Sequence, residues 1–294
     1  MMKPDLDRVR DDAVAASRVL KRAALRPRTY PGFAREIARV GMHLAMYPAG
    51  VVSDALKIDN VVRLGDGYNS RTPLRYLEPE AASMPIILVH GAMHNQSAFT
   101  AIKRALRRYG FRNVYTMNYN MIGRDVEQLA AQLSKHVQEI MHRTQALGVH
   151  LVCHSLGGVV ARYYIQELGG DEFVHTCVTI GSPHKGTHAA LVGRGAMRQL
   201  RPHSPLYDQL ARSTREMPVK WVCFYSNLDS LVLPSSNAKL EEPELHATNI
   251  LVKDHGHLSL LSSRAVIRRI ADALARMGDE KPVDQAPETV THRA

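Results

Sequence analysis

One stretch of the chain could carry a nucleophile. Val149-His-Leu-Val-Cys-His-Ser-Leu-Gly-Gly158 ends an apolar run on a serine set among small residues. A serine on a tight strand-to-helix turn exposes its Oγ at the sheet edge, beside the N–H groups that open the next helix. Such a turn demands small residues two places before and two after the serine, where backbone and helix nearly collide. Gly157 meets the second demand; Cys153 stands at the first, where glycine is usual, and is small enough to be tolerated. A hydroxyl alone is a weak nucleophile, so Ser155 needs a base, a carboxylate to orient that base, and donors for a developing oxyanion.

Candidates for each occur elsewhere in the chain, the acid and base in the order Ser, Asp, His. Asp229 lies in Ser226-Asn-Leu-Asp-Ser-Leu-Val-Leu-Pro234, just past an apolar run, whereas Gly181-Ser-Pro-His-Lys-Gly-Thr187 offers no carboxylate. Lys253-Asp-His-Gly-His257 offers two imidazoles. His257 is preferred to His255 because it directly precedes Leu258-Ser-Leu-Leu261, and Asp254 is too close in sequence to turn back onto the ring. An oxyanion site needs two backbone N–H groups aimed at one spot. Leu156 supplies one; the other comes from His90-Gly-Ala-Met93, with Ala92 the first choice and Met93 in reserve. His90 reads as a loop-shaping residue bonded to backbone, His154 as a side chain turned away from the chemistry, and His184 and Lys185 as braces of their loop.

These residues must be set in place by strands and helices, and the apolar pattern supplies them. Strands are expected at 85–90, 113–119, 149–153, 174–180, 219–225 and 248–252, with an antiparallel edge strand at 72–77. Helices are expected at 97–109, with Ser97 as N-cap, and at 125–147, 156–168 and 258–277. The long helix carries Leu129, Leu133, Val137, Ile140 and Met141 at helical spacing. Strands apolar on both faces and separated by helices predict a parallel sheet covered on both sides. In such a sheet a site lies beyond the carboxyl ends of the strands, where all the candidates fall.

Taken together, His90-Gly91, Cys153-His-Ser-Leu-Gly157, Gly181-Ser-Pro-His-Lys-Gly-Thr187, Ser226-x-x-Asp229 and Gly256-His-x-Ser-Leu-Leu261 resemble the α/β-hydrolase fold. They are similar to bacterial triacylglycerol lipases and related carboxylesterases, over roughly residues 60–275. The resemblance implies Ser155, Asp229 and His257 as a catalytic triad and Ala92 and Leu156 as the oxyanion hole. It implies cleavage of carboxylic esters, with a lipid acyl chain, through an acyl-enzyme. Transfer of the acyl group to another acceptor, thioester cleavage, or a silent binding module on the same fold are the alternatives. The stretch 187–218, where larger lipases insert a lid, is short, so any cover is modest.

Composition agrees with a globular enzyme and excludes other classes. With 45% hydrophobic and 22% charged residues over 294 positions, a disordered polymer, a collagen-like fibre and a polytopic membrane protein are ruled out. Three scattered cysteines (Cys153, Cys177, Cys223) sit in apolar runs and read as buried small side chains. No glycine-rich phosphate loop or zinc motif occurs, so no cofactor and no metal is expected. The net charge is +10, and ten Lys/Arg against five Asp/Glu fall in the first 40 residues. Without a nucleic-acid motif, that excess suggests a solvated basic face or peripheral contact with anionic membrane through basic N-terminal helices. The expected organisation is an N-terminal helical extension (1–57), an α/β-hydrolase domain (58–278) and a disordered tail (279–294). No apolar leader segment is apparent, so a cytoplasmic, membrane-peripheral location is the expectation.

Overall fold

Among the described residues, six apolar-rich runs form strands: β1 (Ile86–Val89), β2 (Val114–Met117), β3 (Val149–His154), β4 (Val174–Ile180), β5 (Lys220–Ser226) and β6 (Thr248–Val252). The computed structural model describes residues 77–92, 96–121, 123–190 and 194–276. The expected N-terminal extension (1–57), the expected tail (279–294) and all but Leu77 of the expected edge strand lie outside the described residues.

The strands make one sheet in the order β2-β1-β3-β4-β5-β6, every neighbouring pair parallel. β1 and β3 are buried along their whole length; β1 is accordingly apolar throughout, and β3 is apolar apart from the buried His150 and His154. The helix α1 (Pro79–Ser83) precedes β1; α2 (Thr100–Tyr109), α3 (Val126–Thr144), α4 (Leu156–Glu167), α5 (Ala196–Gln199) and α6 (Pro205–Arg212) run between the strands; and α7 (Arg264–Leu274) follows β6. Alternation along each strand splits the core into two layers. Val89, Leu151, Cys153, Cys177 and Trp221 pack with α3, α4 and α6 on one face. Leu88, Val152, Val178, Phe224 and Val252 pack with α2 and α7 on the other. All three cysteines are buried and free, as their apolar settings predict.

The chain passes from β1 outward to β2, then returns across β1 to β3 and continues the other way. The strand order thus reverses between β1 and β3, the kind of switch point beside which ligands bind in open parallel sheets.

Element boundaries follow local chemistry. α3 starts with a capping box: the Asp125 side chain accepts from the Gln128 N–H at 2.8 Å, and the Gln128 side chain accepts from the Asp125 N–H at 3.3 Å. Two expectations need correction. Ser97 is not an N-cap: it lies inside a tight 3₁₀ turn (Gln96–Phe99), and Phe99 precedes the first helical residue. The last helix is also shorter than expected. Residues 259–262 form a separate 3₁₀ turn, and Ser263 caps α7 by accepting from the Val266 N–H. The apolar spacing ran through both segments because they are buried, but the loop carrying His257 has to complete its turn before a helix can begin.

Candidate active site

The sheet delivers the predicted residues to its carboxyl edge. Ser155 follows the last residue of β3 and precedes the first of α4, with φ 54° and ψ −124°. A non-glycine residue at positive φ is strained, and the conformation persists because its surroundings over-determine it. The Ser155 N–H donates to the Ile180 carbonyl at 3.0 Å, tying the turn to the end of β4. Gly157 lies against the strand β1 backbone: an added Cβ would stand 2.6 Å from the His90 carbonyl oxygen and nearer still to that of Val89. That close approach is the physical reason the turn requires glycine two places after the serine. Cys153, at the other small-residue position, is fully buried and paired in register with Val89 and Thr179.

Opposite the serine turn, the loops after β5 and β6 bring an acid and an imidazole together. His257 Nδ1–H donates to Asp229 Oδ2 at 2.8 Å, both side chains about 1% exposed. The second carboxylate oxygen of Asp229 accepts the N–H groups of Leu231 and Val232, each at 2.9 Å. One oxygen is therefore held by backbone and the other faces the ring, so the carboxylate has one orientation. Gly181, at φ +57°, backs onto this pair: an added Cβ would meet Asp229 Oδ2 at 3.0 Å and His257 Nδ1 at 3.1 Å. His255 is otherwise engaged, with Nδ1–H donating to the Lys253 carbonyl at 2.8 Å. Asp254 is exposed, and its N–H donates to Asn227 Oδ1 at 2.9 Å.

His154 links the two halves, contrary to the expectation that its side chain turns away. The β-strand alternation does direct it to the α2/α7 face, but the His257 loop crosses that face at the strand end. Nε2–H of His154 donates to the His257 carbonyl at 3.3 Å, and the two rings lie 4.6 Å apart. On the β1 side, an added Cβ at Gly91 would stand 2.8 Å from Ser155 Cβ and 3.1 Å from His154 Nδ1. The His90-Gly-Ala loop is therefore packed on the serine turn. Ala92 is a half-buried turn residue there, Leu156 is the buried first residue of α4, and Met93 lies outside the described residues.

His90 shapes its loop as expected, donating from Nδ1 to the Gly91 carbonyl at 2.9 Å. Burial pushes its pKa down to about 4, against the opposing pull of that backbone bond, so the ring is neutral near pH 7. His184 and Lys185 brace their loop, His184 through Thr179 Oγ1 at 3.0 Å and Lys185 through Glu241 at 2.5 Å. Burial, then the Arg162 charge, holds His184 well below its ordinary pKa.

Two contributors carried no motif. Arg162, 1% exposed on α4, donates to Gln166 Oε1 at 2.5 Å, the His184 carbonyl at 3.2 Å and Glu242 Oε1 at 2.7 Å. The available signal was an arginine in the apolar run Val159–Ile165, which a buried ion pair explains. Tyr119, beyond β2, stacks on His90 with ring centroids 4.3 Å apart and planes 8° from parallel. Nothing in its sequence neighbourhood marks it. Among the described residues, no three His, Cys, Asp or Glu side chains gather as a metal site would require.

Comparison with known proteins gives the arrangement a context. Residues 85–232 match the profile of a family described as palmitoyl protein thioesterase. A triacylglycerol lipase of Pseudarthrobacter phenanthrenivorans is 30% identical over 118 residues, covering 37% of this chain and 36% of the relative. The lysosomal thioesterase PPT2-B of Xenopus laevis is 26% identical over 108 residues, covering 35% of this chain and 37% of the relative. The matching segment thus spans about a third of the length of these curated relatives. Among solved structures, the mature form of Bacillus licheniformis lipase BlEst2 superposes with a TM-score of 0.57 at 18% identity, covering 70% of this chain and 96% of that one. With the all-parallel sheet covered by helices on both faces, this likeness assigns the α/β-hydrolase fold.

Proposed function

The chain belongs to the palmitoyl protein thioesterase family, and from that premise we propose that it is a serine hydrolase of acyl esters working through an acyl-enzyme. The observation that supports this most is the 2.8 Å bond from His257 Nδ1 to a carboxylate already fixed by two backbone N–H groups, with the His257 ring 4.6 Å from that of His154, the residue before the strained Ser155. In this reading Asp229 holds the imidazole with its Nε2 lone pair toward the serine and stabilises the ring when it becomes charged. Ser155 Oγ attacks the acyl carbonyl while His257 Nε2 takes its proton, and the N–H groups of Ala92 and Leu156 receive the oxyanion. Collapse of the tetrahedral intermediate expels the leaving group, which takes the proton from His257. A water molecule, deprotonated by the same ring, then cleaves the acyl-enzyme and frees the acid and Ser155. No metal or cofactor enters these steps.

The favoured substrates are carboxylic esters of lipid acyl chains, in keeping with the triacylglycerol lipases among the relatives. The family match supports a second reading, thioester cleavage, which uses the same residues. A thiolate leaves more readily than an alkoxide, so the two readings differ in how much the leaving group depends on proton donation. The test combines fluorophosphonate labelling and peptide mapping with hydrolysis of p-nitrophenyl esters and of an acyl thioester, over a series of chain lengths. An adduct on Ser155, with both activities abolished in Ser155→Ala, is expected. Folded protein without a Ser155 adduct overturns the reading, and the ratio of ester to thioester turnover decides between the substrate classes.

The catalytic unit in this proposal is residues 58–278. The basic segment 1–57 is a peripheral contact for anionic membrane, supported by its ten Lys/Arg against five Asp/Glu in the first 40 residues. Among the described residues, no helix is long and apolar enough to cross a membrane. Co-sedimentation with anionic vesicles that is equal for the full chain and for a form lacking residues 1–55 refutes that contact.

A further inference from the structure

A loop amide can stabilise an oxyanion only if it is already aimed when the charge develops. In a trans peptide unit, the carbonyl of one residue and the N–H of the next share a plane and point in opposite directions. Whatever holds the Gly91 carbonyl therefore aims the N–H of Ala92, and whatever holds the His90 carbonyl aims the N–H of Gly91. Both carbonyls are held. The Tyr119 hydroxyl donates to the His90 carbonyl, and His90 Nδ1–H donates to the Gly91 carbonyl at 2.9 Å. The Tyr119 N–H donates to His90 Nε2 at 3.4 Å, a long contact that fits a ring protonated at Nδ1. The Tyr119 ring lies flat on the imidazole, 4.3 Å away and 8° from parallel, so the ring that aims the second carbonyl cannot tilt. Burial keeps His90 neutral, and it raises the Tyr119 hydroxyl above its ordinary pKa, so that group remains a donor. Gly91, the residue between the two peptide units, is packed against Ser155 Cβ.

We propose that Tyr119 is a positioning residue for acyl transfer: its hydroxyl on the His90 carbonyl and its ring on the His90 imidazole set the direction of the Gly91 and Ala92 N–H groups beside Ser155. This rests on the reading of Ser155 as nucleophile and Ala92 as oxyanion donor. Tyr119 acts through His90 and its loop, so its effect is expected in the state in which the carbonyl oxygen is charged. A misaimed donor lowers kcat while leaving ground-state binding nearly intact.

The full chain and its Ser155→Ala, Tyr119→Phe and Tyr119→Leu variants test this with p-nitrophenyl butyrate and with a trifluoromethyl ketone as transition-state analogue. Urea midpoints establish that each variant is folded. Tyr119→Phe keeps the stacked ring and loses only the hydroxyl. It is expected to lower kcat about tenfold with KM within about twofold, and to weaken the ketone by the same factor as kcat/KM. Tyr119→Leu also loses the stack and is expected to fall further on both measures. Folded Tyr119→Phe with kcat and ketone affinity within about twofold of wild type overturns the inference, as does a loss confined to KM. Full activity in Ser155→Ala overturns the underlying reading instead, a result independent of either Tyr119 variant.

Discussion

His150 gives the sharpest quantitative test of how this fold responds to pH. It is fully buried on β3, its ring edge-on to His175, and neither ring nitrogen has a hydrogen-bond partner among the described residues. Burial, then the nearby His175 and Lys220, lowers its pKa from the ordinary 6.5 to about 3. The folded state therefore resists protonation while the unfolded chain does not. Its contribution is complete above the unfolded value of about 6.5 and is lost as pH falls toward the folded value of about 3. At about pH 5 the unfolded chain is favoured by a factor of about 30 through this one group, or about 2 kcal/mol. His90, with a folded value of about 4, adds a similar amount of about 2 kcal/mol, and His184 acts in the same direction. The perturbation is His150→Leu, which replaces two buried unpaired nitrogens by apolar atoms of similar volume. The chain's single tryptophan, Trp221, is 1% exposed and reports unfolding by fluorescence. Urea titrations of both proteins at about pH 7.5 and about pH 5 isolate the His150 contribution, because the other titrating groups are common to both. The variant is expected to be at least as stable as wild type at the higher pH and to lose about 2 kcal/mol less on acidification. An identical loss in the two proteins refutes the reasoning.

Three further outcomes follow from the site and its supports. Asp229→Asn keeps the shape but removes the charge that orients His257, and kcat is expected to fall about 10³- to 10⁴-fold in steady-state assays with the fold intact by circular dichroism. Gly157→Ala drives a Cβ to 2.6 Å from the His90 carbonyl oxygen; a loss of about 1–3 kcal/mol in urea unfolding and a large drop in Ser155 labelling rate are expected. Arg162→Met leaves Glu242 and the His184 carbonyl without their buried donor and is expected to cost about 3 kcal/mol of stability, measured the same way.

Much of this fold was legible before any coordinates. β1 is apolar throughout and β3 and β4 carry apolar residues on both faces because the sheet is covered on both sides, and periodicity reports that directly. The serine turn was legible because steric crowding at Gly157 restricts residue type, and steric restriction leaves a mark in sequence. Helix starts were less legible. The apolar pattern at 97–109 and 258–277 continued through 3₁₀ turns, since burial sets side-chain polarity without setting the hydrogen-bonding of the backbone. The short helices α5 and α6 were missed because four and eight residues give too few turns for a periodic signal.

By itself the sequence determined which residue types were present at the strand ends, and in what order: a serine, a carboxylate, two imidazoles and a glycine-bearing loop. It could not choose between His255 and His257 on contact, and it gave no sign that His154 lies against His257 or that Tyr119 grips His90. Those relations join segments as much as 103 residues apart, and only the strand order and register bring them together. Local propensity and periodicity act over a few residues, whereas the meeting of side chains at the sheet edge is fixed by packing of the whole sheet.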